Sequence, residues 1–193
     1  MTANLLLHDD QTITLRGERF SVYLNSEMIQ NRVAELGARI TEDYKGKRPI
    51  LIGVLNGAFM FLSDLMKTVR IDCEVDFVKL SSYGAEQISS GVVRELKKID
   101  ADLEGRHVLV VEDIVDTGLS MQYILDIMLS QNPESVKAIT LLHKHEATEV
   151  DVRLDYVGFR IKNQFVVGYG LDYGQVGRNL PDIYVLDPHI DDS

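Results

Sequence analysis

Apolar positions along this chain keep two rhythms, and their alternation predicts helices packed on a sheet. From Ser26, the residues Ile29, Val33, Leu36 and Ile40 recur every three or four positions, with Glu27 in the first turn and Gly46 just past the expected end. That is the pattern of an amphipathic helix. Pro49 then opens Ile50-Leu51-Ile52-Gly53-Val54-Leu55, an unbroken apolar run that reads as a strand buried on both faces. It leads into a small-residue turn, Asn56-Gly57-Ala58, and a helix over about 59–67. The same order returns in mid-chain. Val108-Leu109-Val110-Val111 is a second buried strand, expected to end where the acids begin at Glu112. Beyond the acids, Gln122, Asp126 and Ser130 form a narrow polar stripe with a period of four, which predicts a mostly buried helix.

Further strands are predicted over 73–80, over 136–142 after the turn Pro133-Glu134-Ser135, and at the close over 180–186. The short polar stretch 85–90 reads as a surface excursion before Val92-Val93, residues 100–105 as a connector, and 187–193 as a fraying tail. Arg94, Lys97 and Lys98 are expected on a solvated face. Strand, short turn, helix in repetition is the signature of an α/β fold with a mostly parallel twisted sheet flanked by helices.

Composition narrows the function classes. At 193 residues the chain suits one domain, 1–193, and 45% hydrophobic with 26% charged residues is the balance of an ordinary globular protein. The net charge of -10 argues against a nucleic-acid partner, because phosphate contacts need clustered Lys and Arg. It does not argue against a phosphorylated small substrate, since a bound cation and a few local charges can reverse the sign inside one pocket. Cys73 is the single cysteine, so no internal disulfide forms and a reducing cytoplasm is the expected compartment. No leader or membrane span is expected, as Leu5-Leu6-Leu7 gives way at once to His8-Asp9-Asp10.

The candidate chemistry gathers at Glu112-Asp113-Ile114-Val115-Asp116-Thr117-Gly118-Leu119-Ser120. A helix start offers unpaired N–H groups and the positive end of the macrodipole. Thr117 and Ser120 add hydroxyls, and Gly118 lets the backbone approach an anion, so the turn is a phosphate seat. Glu112 and Asp113 suit sugar hydroxyls, a divalent cation, or both. Helix capping alone is the plainer reading, but a cap needs one such residue and here there are three acids in five positions. A phosphoacceptor receiver would place this strand near its beginning, with more chain behind it.

Val-Val-Glu-Asp-Ile-Val-Asp-Thr-Gly, residues 110–118, resembles the phosphoribosyl-pyrophosphate motif of type I phosphoribosyltransferases, and within them the hypoxanthine (hypoxanthine-guanine) branch. The resemblance covers roughly 15–186, with three more motifs in the family's order. It implies a small hood and a flexible active-site loop beside the main sheet. Asn56 and Gly57 fall on the loop that contacts pyrophosphate, with Asn56 where the family commonly has Lys, so that loop would hold its anion more through backbone than through charge. Ser82 and Tyr83 match the start of the flexible loop. Lys144 matches the lysine that hydrogen-bonds the purine 6-oxo group; His143 and His145 beside it lack a third ligand at a useful spacing and are read as solvated.

Phe165-Val166-Val167-Gly168-Tyr169-Gly170-Leu171-Asp172-Tyr173 is close to the family's purine-binding segment. The resemblance implies that Phe165 stacks on the base, the Val166 backbone meets the base edge, Asp172 ligates Mg²⁺ and Arg178 reaches pyrophosphate. It makes Asp116 the general base, with Glu112 and Asp113 on the ribose hydroxyls and near the metal. The implied reaction joins a phosphoribosyl group to a 6-oxopurine, in a homo-oligomer, dimer or tetramer, without nucleic-acid or membrane partners. A non-catalytic ligand sensor of the same fold is the alternative from another class, and a xanthine- or guanine-specific enzyme the nearer one.

Overall fold

The computed structural model describes residues 5–9, 11–80 and 95–188, and the chain divides into two compact units. The first unit, Met1–Asn31 with Gln164–Ser193, is built on an antiparallel sheet in the order β1-β2-β3-β11-β10. Its strands are β1 (Leu5–Asp9), β2 (Thr12–Leu15), β3 (Glu18–Leu24), β10 (Val166–Val167) and β11 (Ile183–Leu186). Both ends of the chain therefore contribute to one sheet. The β2–β3 hairpin closes in two residues, Arg16 and Gly17, at φ 52° and 90°. Two left-handed residues in succession match the twist of the flanking strands, and glycine takes the second at no steric cost. Ile13, Leu15, Phe20, Val167, Leu180 and Tyr184 make its core.

The second unit, Arg32–Asn163, carries a six-stranded sheet in the order β6-β5-β4-β7-β8-β9. These are β4 (Ile50–Leu55), β5 (Glu74–Leu80), β6 (Glu95–Lys97), β7 (His107–Val115), β8 (Ser135–Lys144) and β9 (Tyr156–Ile161). Five run parallel, and β6 is an antiparallel edge. Helices α1 (Ser26–Asp43), α2 (Phe59–Thr68) and α3 (Leu119–Leu129) accompany them, α1 passing from the first unit into the second. Met121, Ile124 and Met128 of α3 pack on Ile50, Ile52, Val108, Val110 and Ala138 of the sheet. Gly53 lets α2 come in close, since a Cβ there would lie 2.6 Å from Leu62 Cδ2. No described helix is long and apolar enough to cross a membrane.

The expected α/β fold with a mostly parallel sheet is what the second unit adopts, and the first unit has a separate antiparallel sheet of its own. Two expectations change. β7 does not stop at Glu112 but continues to Val115, because its pairing with β8 holds through Ile114↔Leu142 and Val115↔His143. Lys97 is not simply solvated: its ammonium donates to Asp76 at 3.1 Å and to Asp100 at 3.2 Å, tying β6 and the following connector to β5. The excursion over 85–90 and the flexible loop expected from Ser82 lie outside the described residues.

Candidate active site

Strand order decides where a ligand can sit. β4 leads through α2 to β5 on one side of the sheet, while β7 leads through α3 to β8 on the other. The neighbours β4 and β7 are thus the point where the winding reverses, and the two loops that leave their carboxyl ends open a crevice there. Asn56-Gly57 belongs to one loop and Asp116-Thr117-Gly118 to the other.

Within the β7–α3 loop, Gly118 has φ 89° and precedes α3 with no side-chain cap. A Cβ there would lie 2.9 Å from the Val150 carbonyl oxygen, so the turn is closed to other residues both sterically and conformationally. The Thr117 carbonyl accepts the N–H groups of Glu149 and Val150 at 2.9 and 3.1 Å, which pins the loop from outside. Around that helix start, where the Leu119 N–H donates to Thr117 Oγ1 at 3.4 Å, lies an open pocket that Glu112, Asp116, Thr117, Gly118 and Ser120 help to line.

The acids divide by face. Asp113 is buried beneath the other loop, so tightly that a Cβ on Gly57 would fall 1.7 Å from its Oδ2. Glu112 Oε2 is buried with no hydrogen-bond partner among the described residues. Desolvation, and then the neighbouring Asp113 charge, push the Glu112 carboxyl well above the usual carboxylate range. Asp116 stands more open, its side chain 48% exposed, and accepts a hydrogen bond from Lys144 Nζ at 2.9 Å. Lys144 is the last residue of β8 and only 11% of its side chain is exposed. Within this unit the structure brings together Asn56, Gly57, Glu112, Asp113, Asp116, Thr117, Gly118, Ser120 and Lys144.

His143 is partly buried and bonded to Thr148 at 3.1 Å, rather than solvated. Burial, aided by the Arg160 charge, holds its imidazole below its ordinary value. Sequence reasoning missed Lys79, whose ammonium reaches Asn56 Oδ1 at 3.1 Å. The signal was available only as a lysine near a strand end. The peptide bond between Leu55 and Asn56 is cis, with no proline to announce it.

The purine-segment residues belong to the first unit. Phe165 is 44% exposed, with its ring packed on Phe20 and Tyr173 at centroid distances of 6.3 and 5.5 Å. A large aromatic held by two others yet open to solvent offers a flat surface to a ring. The Phe165 carbonyl accepts the Leu186 N–H, so alternation turns the polar groups of Val166 away from β11, toward the open edge of the sheet. Gly168, Tyr169 and Gly170 all have positive φ and carry the chain out of the strand. Beyond them Asp172 pairs with Arg178 at 2.5 Å and accepts the Gln175 N–H at 2.7 Å, while Arg178 also donates to the Gly170 carbonyl. Ser82 and Tyr83 lie outside the described residues. Among those described, no group of three or more His, Cys, Asp or Glu side chains stands ready as a metal site.

A phosphate seat, acids beside it and a cation–carboxylate pair at the switch point of an α/β sheet define a protein that handles a phosphorylated sugar or nucleotide. Comparison with known proteins gives the family. Residues 22–174 match the phosphoribosyl transferase domain model. The chain is 44% identical over 172 residues to a hypoxanthine-guanine phosphoribosyltransferase of Bacillus subtilis, covering 89% of this chain and 96% of that one. It is 45% identical over 169 residues to the bifunctional protein TilS/HprT of Listeria monocytogenes, covering 88% of this chain but spanning only 26% of that protein's length. A crystal structure of a hypoxanthine-guanine phosphoribosyltransferase from Bacillus anthracis superimposes with a TM-score of 0.83 at 39% identity, over 86% of this chain and 98% of that one. The chain belongs to the phosphoribosyltransferase family, in its hypoxanthine-guanine branch.

Proposed function

We propose that this protein is a purine salvage enzyme that transfers the 5-phosphoribosyl group from phosphoribosyl pyrophosphate to hypoxanthine and guanine, giving IMP or GMP and pyrophosphate. The observation that carries the proposal is the β4/β7 switch point, where the uncapped start of α3, the Glu112–Asp113 pair and the Asp116–Lys144 pair meet. The seat formed by Thr117, Gly118 and Ser120 takes the 5-phosphate. Glu112 and Asp113 take the ribose hydroxyls. The orphaned buried Oε2 of Glu112 supports that assignment, since a hydroxyl donor would complete it.

In the reaction, the bond from the anomeric carbon to pyrophosphate breaks with its electron pair leaving on oxygen, and ring nitrogen 9 of the purine bonds to that carbon. The imidazole proton of the base passes to Asp116. Until the base arrives, Lys144 neutralises Asp116. Once the base is bound, Lys144 donates to the 6-oxo group, which discriminates against adenine because an amino group there would set donor against donor. Phe165 stacks on the purine and Val166 meets its edge, while Asn56, Gly57 and Arg178 receive the pyrophosphate.

The carboxylates present suit Mg²⁺, a hard ion commonly held by one or two carboxylates with substrate oxygens completing its shell. We assign it to Asp172, with Glu112 and Asp113 near the sugar, and when bound it neutralises charge on the pyrophosphate. The reading includes the whole chain, 1–193, acting as one domain in a cytoplasmic dimer or tetramer. The test is initial rates with phosphoribosyl pyrophosphate and Mg²⁺, offering hypoxanthine, guanine, xanthine and adenine separately. Nucleotide from hypoxanthine and guanine with adenine silent is expected. No product from any base, with phosphoribosyl pyrophosphate still bound, would overturn the enzyme reading in favour of a sensor.

A further inference from the structure

The loop assigned to pyrophosphate carries no charge of its own. Asn56-Gly57-Ala58 has no ionisable side chain, and the first turn of α2, Phe59-Met60-Phe61-Leu62, is apolar. An acid lies directly beneath it, since a Cβ on Gly57 would fall on the Asp113 carboxylate. A tetra-anionic leaving group approaching this turn would meet no cation within the loop's own sequence and a carboxylate beneath it, while the Ala58 and Phe59 N–H groups already donate to the Val54 and Asn56 carbonyls. Backbone alone is a weak answer to charge that grows as the bond breaks.

The neighbouring strand supplies what the loop lacks. β4 and β5 pair in parallel with Leu55 opposite Lys79, which sets Lys79 level with the last residue of β4. From there its ammonium donates to the Asn56 side-chain oxygen at 3.1 Å. Three other lysines of this unit rest on carboxylates, Lys97 on Asp76 and Asp100, Lys144 on Asp116 and Lys67 on Asp64, while Lys137 lies over the Tyr44 and Tyr156 rings. Lys79 rests on a neutral amide. An amide fixes the position of an ammonium without cancelling its charge, and a cation so held at a ligand loop is poised for an anion.

We propose that Lys79 is the pyrophosphate-binding cation of the Asn56–Gly57 loop, with Asn56 serving to hold its ammonium at the loop. The inference rests on the proposed transferase reading and adds a residue to it. When pyrophosphate or the pyrophosphate end of the sugar substrate enters, Lys79 shifts its hydrogen bond from the Asn56 oxygen to a phosphate oxygen. The Asn56 amide group then has its oxygen free for water and its NH₂ for the same anion.

The test compares the full-length protein with Lys79→Met, Lys79→Arg and the double variant Lys79→Met/Asn56→Lys. Magnesium pyrophosphate binding is measured by calorimetry, and KM for phosphoribosyl pyrophosphate and for hypoxanthine from initial rates. Lys79→Met is expected to weaken pyrophosphate binding and raise the sugar-substrate KM by about 10- to 100-fold, the weight of one hydrogen bond between charged groups. Hypoxanthine KM should stay within about twofold, since Lys79 does not act on the base, while Lys79→Arg keeps most of the affinity because the charge is retained. Placing the cation on the loop itself in the double variant should recover pyrophosphate binding. Unchanged pyrophosphate affinity in Lys79→Met overturns the proposal. So does an equal loss for pyrophosphate and hypoxanthine accompanied by a lowered melting temperature, which would mark Lys79 as structural. Wild-type protein that made no nucleotide would instead sink the transferase reading, and the calorimetry would still decide the role of Lys79.

Discussion

Replacing Gly57 with alanine tests whether the two loops at the switch point act as one device. Gly57 does not have a positive φ, so alanine meets no backbone strain and the effect is purely steric. The new Cβ would lie 1.7 Å from Asp113 Oδ2, 2.4 Å from its Cγ and 2.8 Å from its Oδ1. To regain ordinary contact at about 3.5 Å, carboxylate and loop must separate by about 1.8 Å. Asp113 is only 7% exposed, and the Glu112 carboxylate beside it is itself buried, so the acid cannot retreat freely.

Overpacking of this kind costs about 1–3 kcal/mol, and in a chain of this length that lowers the melting temperature by about 2–10 °C. The larger effect falls on chemistry. If Asp113 positions the ribose as proposed, displacing its carboxylate by more than an ångström should reduce kcat/KM for phosphoribosyl pyrophosphate by about 10²-fold. Melting curves and initial rates on Gly57→Ala measure both. The decisive comparison is the Asp113→Ala background, which removes the three colliding atoms. There Gly57→Ala should cost less than about 0.5 kcal/mol further, because the coupling between the sites has been deleted. Equal cost in the two backgrounds, or a single variant with wild-type melting and rate, would refute the claim that the loops press on one another.

Asp116→Asn keeps an oxygen for Lys144 but cannot take a proton, and should lower turnover by about 10²–10⁴; initial rates at saturating substrates check it, and unchanged turnover removes Asp116 from the mechanism. Asp76→Ala should destabilise the protein by about 3–5 kcal/mol in chemical denaturation, since it strips a partner from Lys97 and from the N–H groups of Phe77, Asp100 and Ala101. Burial alone would raise the Asp76 carboxyl, but those backbone bonds and the Lys97 ammonium hold it below its ordinary 3.8. Its contribution is therefore present above that value and disappears as pH falls through the lower folded one, so acid titration of stability should be shallower in Asp76→Ala than in wild type. Gly158→Ala sets a Cβ 2.4 Å from the Leu141 carbonyl oxygen on the adjoining strand, where backbone cannot yield. A loss of about 1–3 kcal/mol in the same assay is expected.

What was legible in the chain was whatever its own neighbours determine. Four apolar residues in succession at 108–111 read as an inner strand, and three acids in five positions before an apolar helix are more than a helix cap needs, so the turn reads as a ligand loop. The N-terminal hairpin was equally local but was passed over. Thr12-Ile13-Thr14-Leu15 and the residues after Gly17 carry a short alternation, and Arg16-Gly17 is the two-residue turn that closes it. The partnership of that hairpin with β11 was not legible, because Ile183 to Leu186 reach β3 from the far end of the chain. The end of β7 was misplaced for the same reason. An acid normally marks the edge of a buried run, yet β8 carries the pairing past Asp113, and the loop at Gly57 covers its carboxylate.

The site residues follow a sharper rule. Asp116, Lys144, Asn56 and Lys79 are each visible as residue types, but their pairings are set by register between strands and not by spacing. Lys144 meets Asp116 because β8 lies beside β7 and ends just beyond it; Lys79 meets Asn56 because β5 flanks β4 with Leu55 opposite Lys79. Lys97 shows the converse, a lysine that looks like a solvated charge until β6 turns back along β5 and brings it to Asp76. A one-residue slip in any of these ladders would turn the side chain to the opposite face of the sheet and abolish its pair. The charge balance of the Asn56–Gly57 loop is therefore a property of sheet register. A cation missing from the loop sequence can be present in the loop site, and Lys79 is placed where that substitution would work.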